Sequence, residues 1–197
     1  MGNDKSVVTE ERYQQGYTYE EFIDKINVNK DRFDQYYGTA ADAITVEDKE
    51  FFKKAVQQDG GVARVLVLGE DWCPDVYRGM PLMARIAEAS GMEIKIFPRD
   101  ENLDIMNEFL NHGEHQSIPT FVFYTSTQEY LFHWIERPSV ANEETAAIDK
   151  QIEKDMAGRD EQEVRRARRD KVNAKFPDWQ KATVIEIKDL VAKVIGS

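Results

Sequence analysis

The stretch Val62-Ala63-Arg64-Val65-Leu66-Val67-Leu68-Gly69-Glu70-Asp71-Trp72-Cys73-Pro74-Asp75-Val76 decides the fold. Its first seven residues are mostly aliphatic or β-branched, which suits a strand buried on both faces. Pro74 fits the first turn of a helix, where a missing N–H costs nothing. The chain's one cysteine therefore falls where a buried strand hands over to a helix. There the unpaired N–H groups and the positive end of the helix dipole favour thiolate. Asp75, Glu70 and Asp71 work against that charge, with Arg78 as a candidate to offset them. Spacing alone leaves the balance open.

On either side of this stretch the hydropathy pattern alternates helix and strand. Thr18 and Glu21 form a capping box, with Tyr17 and Phe22 at staple spacing, so a helix starts near Tyr19 and stops before Asn29. Residues 29–44 read as an aromatic, turn-rich connection in which Phe33, Tyr36 and Tyr37 dock the segment on the body. Thr45 with Asp48 caps a helix carrying Phe51, Phe52, Ala55 and Val56, and Gly60-Gly61 stops it. In the helix after Cys73, Leu82, Met83, Ile86 and Ala87 face the sheet, Pro81 bends it and Gly91 ends it. A strand at 93–97, a helix at 102–111 and a hairpin of 120–124 with 129–134 follow. The strand-helix-strand order implies a parallel pair with a right-handed crossover, and the hairpin makes the sheet mixed.

Trp72-Cys73 at a strand-to-helix junction, Pro81 eight residues on, and Ile118-Pro119-Thr120 further along resemble the thioredoxin superfamily. The resemblance spans roughly residues 45–138. It implies an α/β thioredoxin-like fold, a mixed central sheet flanked by helices, with Cys73 as nucleophile, Trp72 as its flanking tryptophan, Pro81 as the helix-kinking proline and Pro119 as the cis-proline closing the substrate groove. Trp72, Pro74, Asp75, Ile118, Pro119 and Thr120 are then the expected substrate-contacting set. Val76 stands where the resemblance calls for a resolving cysteine, and Val67 where it calls for a buried proton-handling acid. Both departures argue against dithiol chemistry.

The composition narrows the remaining classes. Twenty-six basic against thirty-seven acidic side chains give a net charge of −11, which disfavours nucleic acid and anionic membranes as partners. A single cysteine rules out an internal disulfide and a cysteine-only zinc site. The expected compartment is a reducing cytoplasm, since no apolar run is long enough to cross a membrane and the polar N-terminus lacks a signal-peptide core. The opening Met1-Gly2-Asn3-Asp4-Lys5-Ser6 matches the loose myristoylation pattern, which is too short to carry an assignment. His112 and His115 precede Pro119, yet with Cys73 they fall short of a zinc ligand set, and no metal or cofactor is expected. His133 reads as a packed strand residue.

Past Pro138 the chain reads as helical. Asn142 is the expected cap, Ile148, Ile152 and Met156 lie one turn apart, and Gly158 interrupts. The alternating charges of 159–171 read as a solvated face. Phe176-Pro177-Asp178-Trp179 reads as a break, followed by a stripe of Val184, Ile187, Val191 and Val194 that buries on the body's sheet or on a second copy of the chain. The expected organisation is an N-terminal helical extension at 1–44, a thioredoxin-like core at 45–157 and a C-terminal helical extension at 158–197.

These observations favour a protein in which Cys73 alone exchanges with a protein disulfide or with the mixed disulfide of a small thiol, an external low-molecular-weight thiol resolving the adduct. A binding module that holds a peptide beside Pro119 without chemistry is the alternative. Peroxide reduction ranks third, because Glu70 occupies the position three before Cys73 where a threonine is common in peroxide-reducing thiol proteins.

Overall fold

The computed structural model describes residues 6–196, so Gly2 of the myristoylation pattern lies outside it. Four strands form one mixed sheet: β1 (Arg64–Gly69), β2 (Glu93–Pro98), β3 (Thr120–Tyr124) and β4 (Tyr130–Ile135), in the order β2-β1-β3-β4. β1 runs parallel to β2 and antiparallel to β3, and β3 pairs antiparallel with β4. Val65, Leu66, Val67 and Leu68 are all fully buried, as a central strand covered on both faces requires.

Eight helices surround the sheet among the described residues: α1 (Glu10–Tyr13), α2 (Tyr19–Lys25), α3 (Lys30–Ala40), α4 (Val46–Gln57), α5 (Pro74–Ser90), α6 (Leu103–Met106), α7 (Ser139–Asp155) and α8 (Glu161–Ile195). Both expected capping boxes form, Thr18 with Glu21 and Thr45 with Asp48. The apolar face read for α5 is buried at Leu82, Met83, Ile86 and Ala87.

The N-terminal segment shares the main core. Tyr13 is fully enclosed and donates its hydroxyl to the Glu93 carbonyl at 2.8 Å. Tyr17 bridges to Ile96 beside β2. The turn-rich reading of 29–44 is corrected, since most of it is α3. Phe33, Tyr36 and Tyr37 sit three and four residues apart, which is a helical stripe, and Phe33 and Tyr36 lie 6.3 and 6.0 Å from Tyr77 of α5, ring to ring.

Three further expectations are corrected. The helix at 102–111 shrinks to α6, with turns after it. α7 starts at Ser139, directly after Pro138, so Asn142 lies inside the helix and caps nothing. The break at 176–179 does not occur: α8 runs through Pro177 without ending. A proline removes one helical hydrogen bond and crowds the preceding turn, but here packing on both sides holds the helix. Phe176 lies 5.0 Å from Tyr36, and Trp179 donates its indole N–H to Glu144 of α7 at 2.6 Å.

Beyond Pro177, Val184, Ile187 and Val191 are buried in the main core, whereas Val194 is partly exposed. Lys188 fixes α8 to α4 by donating to Asp48 at 2.6 Å. Burial opposes the Asp48 charge, but hydrogen bonds from Lys188 and Thr45 outweigh it and hold the carboxyl below its usual range. The stabilisation is present above the unfolded-state value and is lost as pH falls. Asp48→Ala removes both the cap partner and the Lys188 contact, and is expected to cost about 1–2 kcal/mol in urea unfolding at pH 7. That deficit should shrink below roughly pH 4, where the wild-type carboxyl is protonated in the unfolded chain.

Candidate functional site

The site forms where β1 runs out. Gly69 is its last residue, and a side chain there would meet Met80 Cε at 2.7 Å and Val76 Cγ1 at 2.8 Å, so only glycine lets the strand pass under α5. The loop that follows is tied down by its own acids. Glu70 Oε1 accepts from the Asp100 N–H at 2.7 Å. Asp71 Oδ2 accepts from the Asn27 and Val28 N–H groups at 2.8 and 3.2 Å, and the Asn29 side chain donates to the Asp71 carbonyl at 2.8 Å. These two carboxylates therefore serve as anchors between the loop, the N-terminal segment and the end of β2.

Cys73 is the N-cap of α5, with Pro74 at the first helical position. Its thiol is half-buried and donates to the Ile118 carbonyl, with Sγ 3.7 Å from the oxygen. The Ile118–Pro119 peptide bond is cis. Gly79 seats α5 on this corner, since a side chain there would approach Pro119 Cγ to 3.2 Å. The structure thus brings together Trp72, Cys73, Pro74, Asp75, Ile118 and Pro119.

Their accessibility differs. Trp72 is 50% exposed, with the Arg99 guanidinium 5.2 Å over its ring, and Pro74 is exposed. Ile118, Pro119 and Thr120 are buried. The Thr120 hydroxyl donates to the Ser117 carbonyl at 2.8 Å, and the Pro119 carbonyl accepts from the Glu136 N–H at 2.7 Å. Both carbonyls of the Ile118-Pro119 corner therefore accept within the protein while Cys73 is a thiol, and the exposed residues flanking Cys73 are Trp72 and Pro74.

Burial pushes the Cys73 thiol above its ordinary value, and the Asp75 and Glu136 carboxylates push in the same direction. The Val76 and Asp75 N–H groups at the helix start pull the other way without prevailing. Arg78 does not serve as the thiol's counter-charge. It donates to Asn173 of α8 at 2.8 Å and lies 3.9 Å from Asp75. Arg137 donates to Asp75 at 2.8 Å and also pairs with Glu136. Burial nonetheless raises the Asp75 carboxyl, because it outweighs the attraction of Arg137 and Arg78.

Sequence reasoning missed Glu136 and Arg137. They lie more than sixty residues from the cysteine, and no local pattern marks them. The one signal is Arg137-Pro138 at a strand end, which read only as a helix boundary. His112 and His115 lie on an exposed loop, while His133 Nδ1 meets the Tyr130 hydroxyl at 2.8 Å. Among the described residues no group of three or more His, Cys, Asp or Glu side chains is placed to hold a metal, and no helix is long and apolar enough to cross a membrane.

A parallel strand pair extended by an antiparallel hairpin, with a cysteine at a helix N-terminus facing a cis-proline corner, defines a thioredoxin-like protein. The thioredoxin family model matches residues 16–157, and the chain belongs to that family. No curated protein matched. Among solved structures, a Pseudomonas aeruginosa protein of unknown function aligns at a TM-score of 0.64 and 14% identity, over 94% of this chain and 98% of its own. An HIV epitope-scaffold protein aligns at 0.64 and 15%, over 96% and 99%. At these identities they share the fold alone.

Asp75→Asn removes a carboxylate beside the sulfur and leaves Arg137 and Arg78 in place. The midpoint of Cys73 alkylation against pH is expected to fall by about one unit, and the rate at pH 7 to rise by up to about tenfold. Iodoacetamide labelling followed by mass spectrometry measures both.

Proposed function

We propose that the protein carries out thiol–disulfide exchange with Cys73 as its single nucleophile. The observation that carries this reading is the placement of the half-buried Cys73 at the N-terminus of α5, facing the Ile118-Pro119 corner and flanked by the exposed Trp72 and Pro74. The Cys73 thiolate attacks a disulfide R–S–S–R′ to form Cys73–S–S–R, and R′–S⁻ departs and takes up a proton from water. Val76 stands at the resolving position and is fully buried, so a second, external thiolate must attack R–S to regenerate Cys73. The protein is neither oxidised nor reduced over the cycle.

The raised thiol pKa sets the character of this chemistry. Little thiolate is present at neutral pH, so attack is slow. A high-pKa sulfur is also a poor leaving group, so a formed adduct persists. The disulfide is that of a protein or the mixed disulfide of a small thiol: once Cys73 is thiolate or adduct it no longer donates to the Ile118 carbonyl, which is then free to pair an extended peptide. The implied partners are such disulfides and a free thiol, without a cofactor, in a reducing cytoplasm.

A second reading, a non-catalytic binding module, draws on the half-exposed Trp72 together with the same raised thiol pKa. Oxidised glutathione separates the two. Exchange predicts a single mixed disulfide on Cys73, absent in Cys73→Ser, with a rate rising about tenfold per pH unit up to the thiol pKa. No adduct at pH 9, while the urea-unfolded chain is modified under the same conditions, contradicts exchange. In that case Trp72→Ala should weaken partner capture and Cys73→Ala should leave it intact.

A further inference from the structure

Asp75 also lines a cavity of about 20 Å³ between α5, the segment joining β4 to α7, and α8. Asp75, Arg78, Glu136, Arg137 and Gln180 supply its polar wall, and Trp134, Phe176 and Trp179 much of its apolar wall. Three of the polar residues carry a buried N–H group without a hydrogen-bond partner among the described residues: Arg78 Nε, Arg137 Nε and Gln180 Nε2. Gln180 is only 4% exposed and the Arg78 side chain 11%. A buried donor left without a partner is destabilising. Three such donors at one cavity call for a bound acceptor, and one water can satisfy two of them.

The size and charge of the cavity select that ligand. A volume of about 20 Å³ is room for one water-sized species. The wall holds two guanidinium groups against two carboxylates, so it is already neutral, and an added anion would bring an uncompensated charge into a desolvated site. A water molecule accepts from two of the donors and offers its own hydrogens to the carboxylates, matching both sides of the wall.

We propose that this cavity is a binding site for one structural water, held by Gln180 of α8 and one of the two guanidiniums of Arg78 and Arg137, which couples the C-terminal helix to the Asp75 ion-pair cluster at the start of α5. It does not depend on the thiol's reactivity and stands if Cys73 proves inert. Through this water, α8 is part of the support of the first turn of α5 as well as its cover.

The test is a high-resolution crystal structure of the full chain grown in bromide, paired with chemical unfolding of Gln180→Met. The proposal expects one ordered water in the cavity with no anomalous bromide signal there, and a lower urea midpoint for Gln180→Met, because the water loses a partner. An anomalous peak in the cavity would identify an anion site and overturn the proposal. Absence of density at the site would overturn it too, as would an unchanged or higher midpoint for Gln180→Met, the result when an orphaned amide in a dry cavity is replaced by an apolar side chain. If the variant does not fold, the wild-type crystal structure decides alone.

Discussion

The seating of the first two turns of α5 against the Ile118-Pro119 corner is the contact on which the site depends. It needs Gly69 so that β1 can pass beneath the helix, and Gly79 so that the helix can close on Pro119. Given that approach, Cys73 has little choice of position. Its sulfur must lie between the helix N-terminus and the Ile118 carbonyl. The buried central strand supplies the platform, and the loop acids Glu70 and Asp71 spend their hydrogen-bonding capacity holding the turn in place.

The electrostatics then run against the usual expectation for a cysteine at a helix start. The N–H groups of the first turn favour thiolate, but the sulfur is half-buried and has the carboxylates of Asp75 and Glu136 for neighbours. Both nearby guanidiniums are committed to those acids and to Asn173. The result is a half-buried thiol whose surroundings oppose its ionisation.

Much of the fold could be read directly from hydropathy period and punctuation. The strands, the capping boxes at Thr18 and Thr45, and the buried face of α5 all rest on local patterns, and local patterns persist when the chain folds. The misreadings fell where tertiary contact overrode a local signal. Pro177 marks a helix end in isolation, but α8 continues because Phe176 and Trp179 are clamped by Tyr36 and Glu144. Residues 30–40 looked like a connection because their composition is poor for a helix, and α5 supplies the packing that makes them one. At the site, Cys73, Trp72 and Pro119 were legible from one motif. Glu136 and Arg137 were not, because charge placement across sixty residues leaves no mark in spacing.

The site's chemistry turns on an accessible Cys73 whose thiol resists ionisation at neutral pH. The rate of Cys73 alkylation in the native wild-type chain, followed across pH, tests it most directly. Complete modification of the folded protein is expected, with a single midpoint above the free-thiol value of about 8.5. A midpoint near or below pH 7 would show that the helix terminus overrules burial and the two carboxylates. Modification that begins only on unfolding would show that the sulfur is closed to any partner.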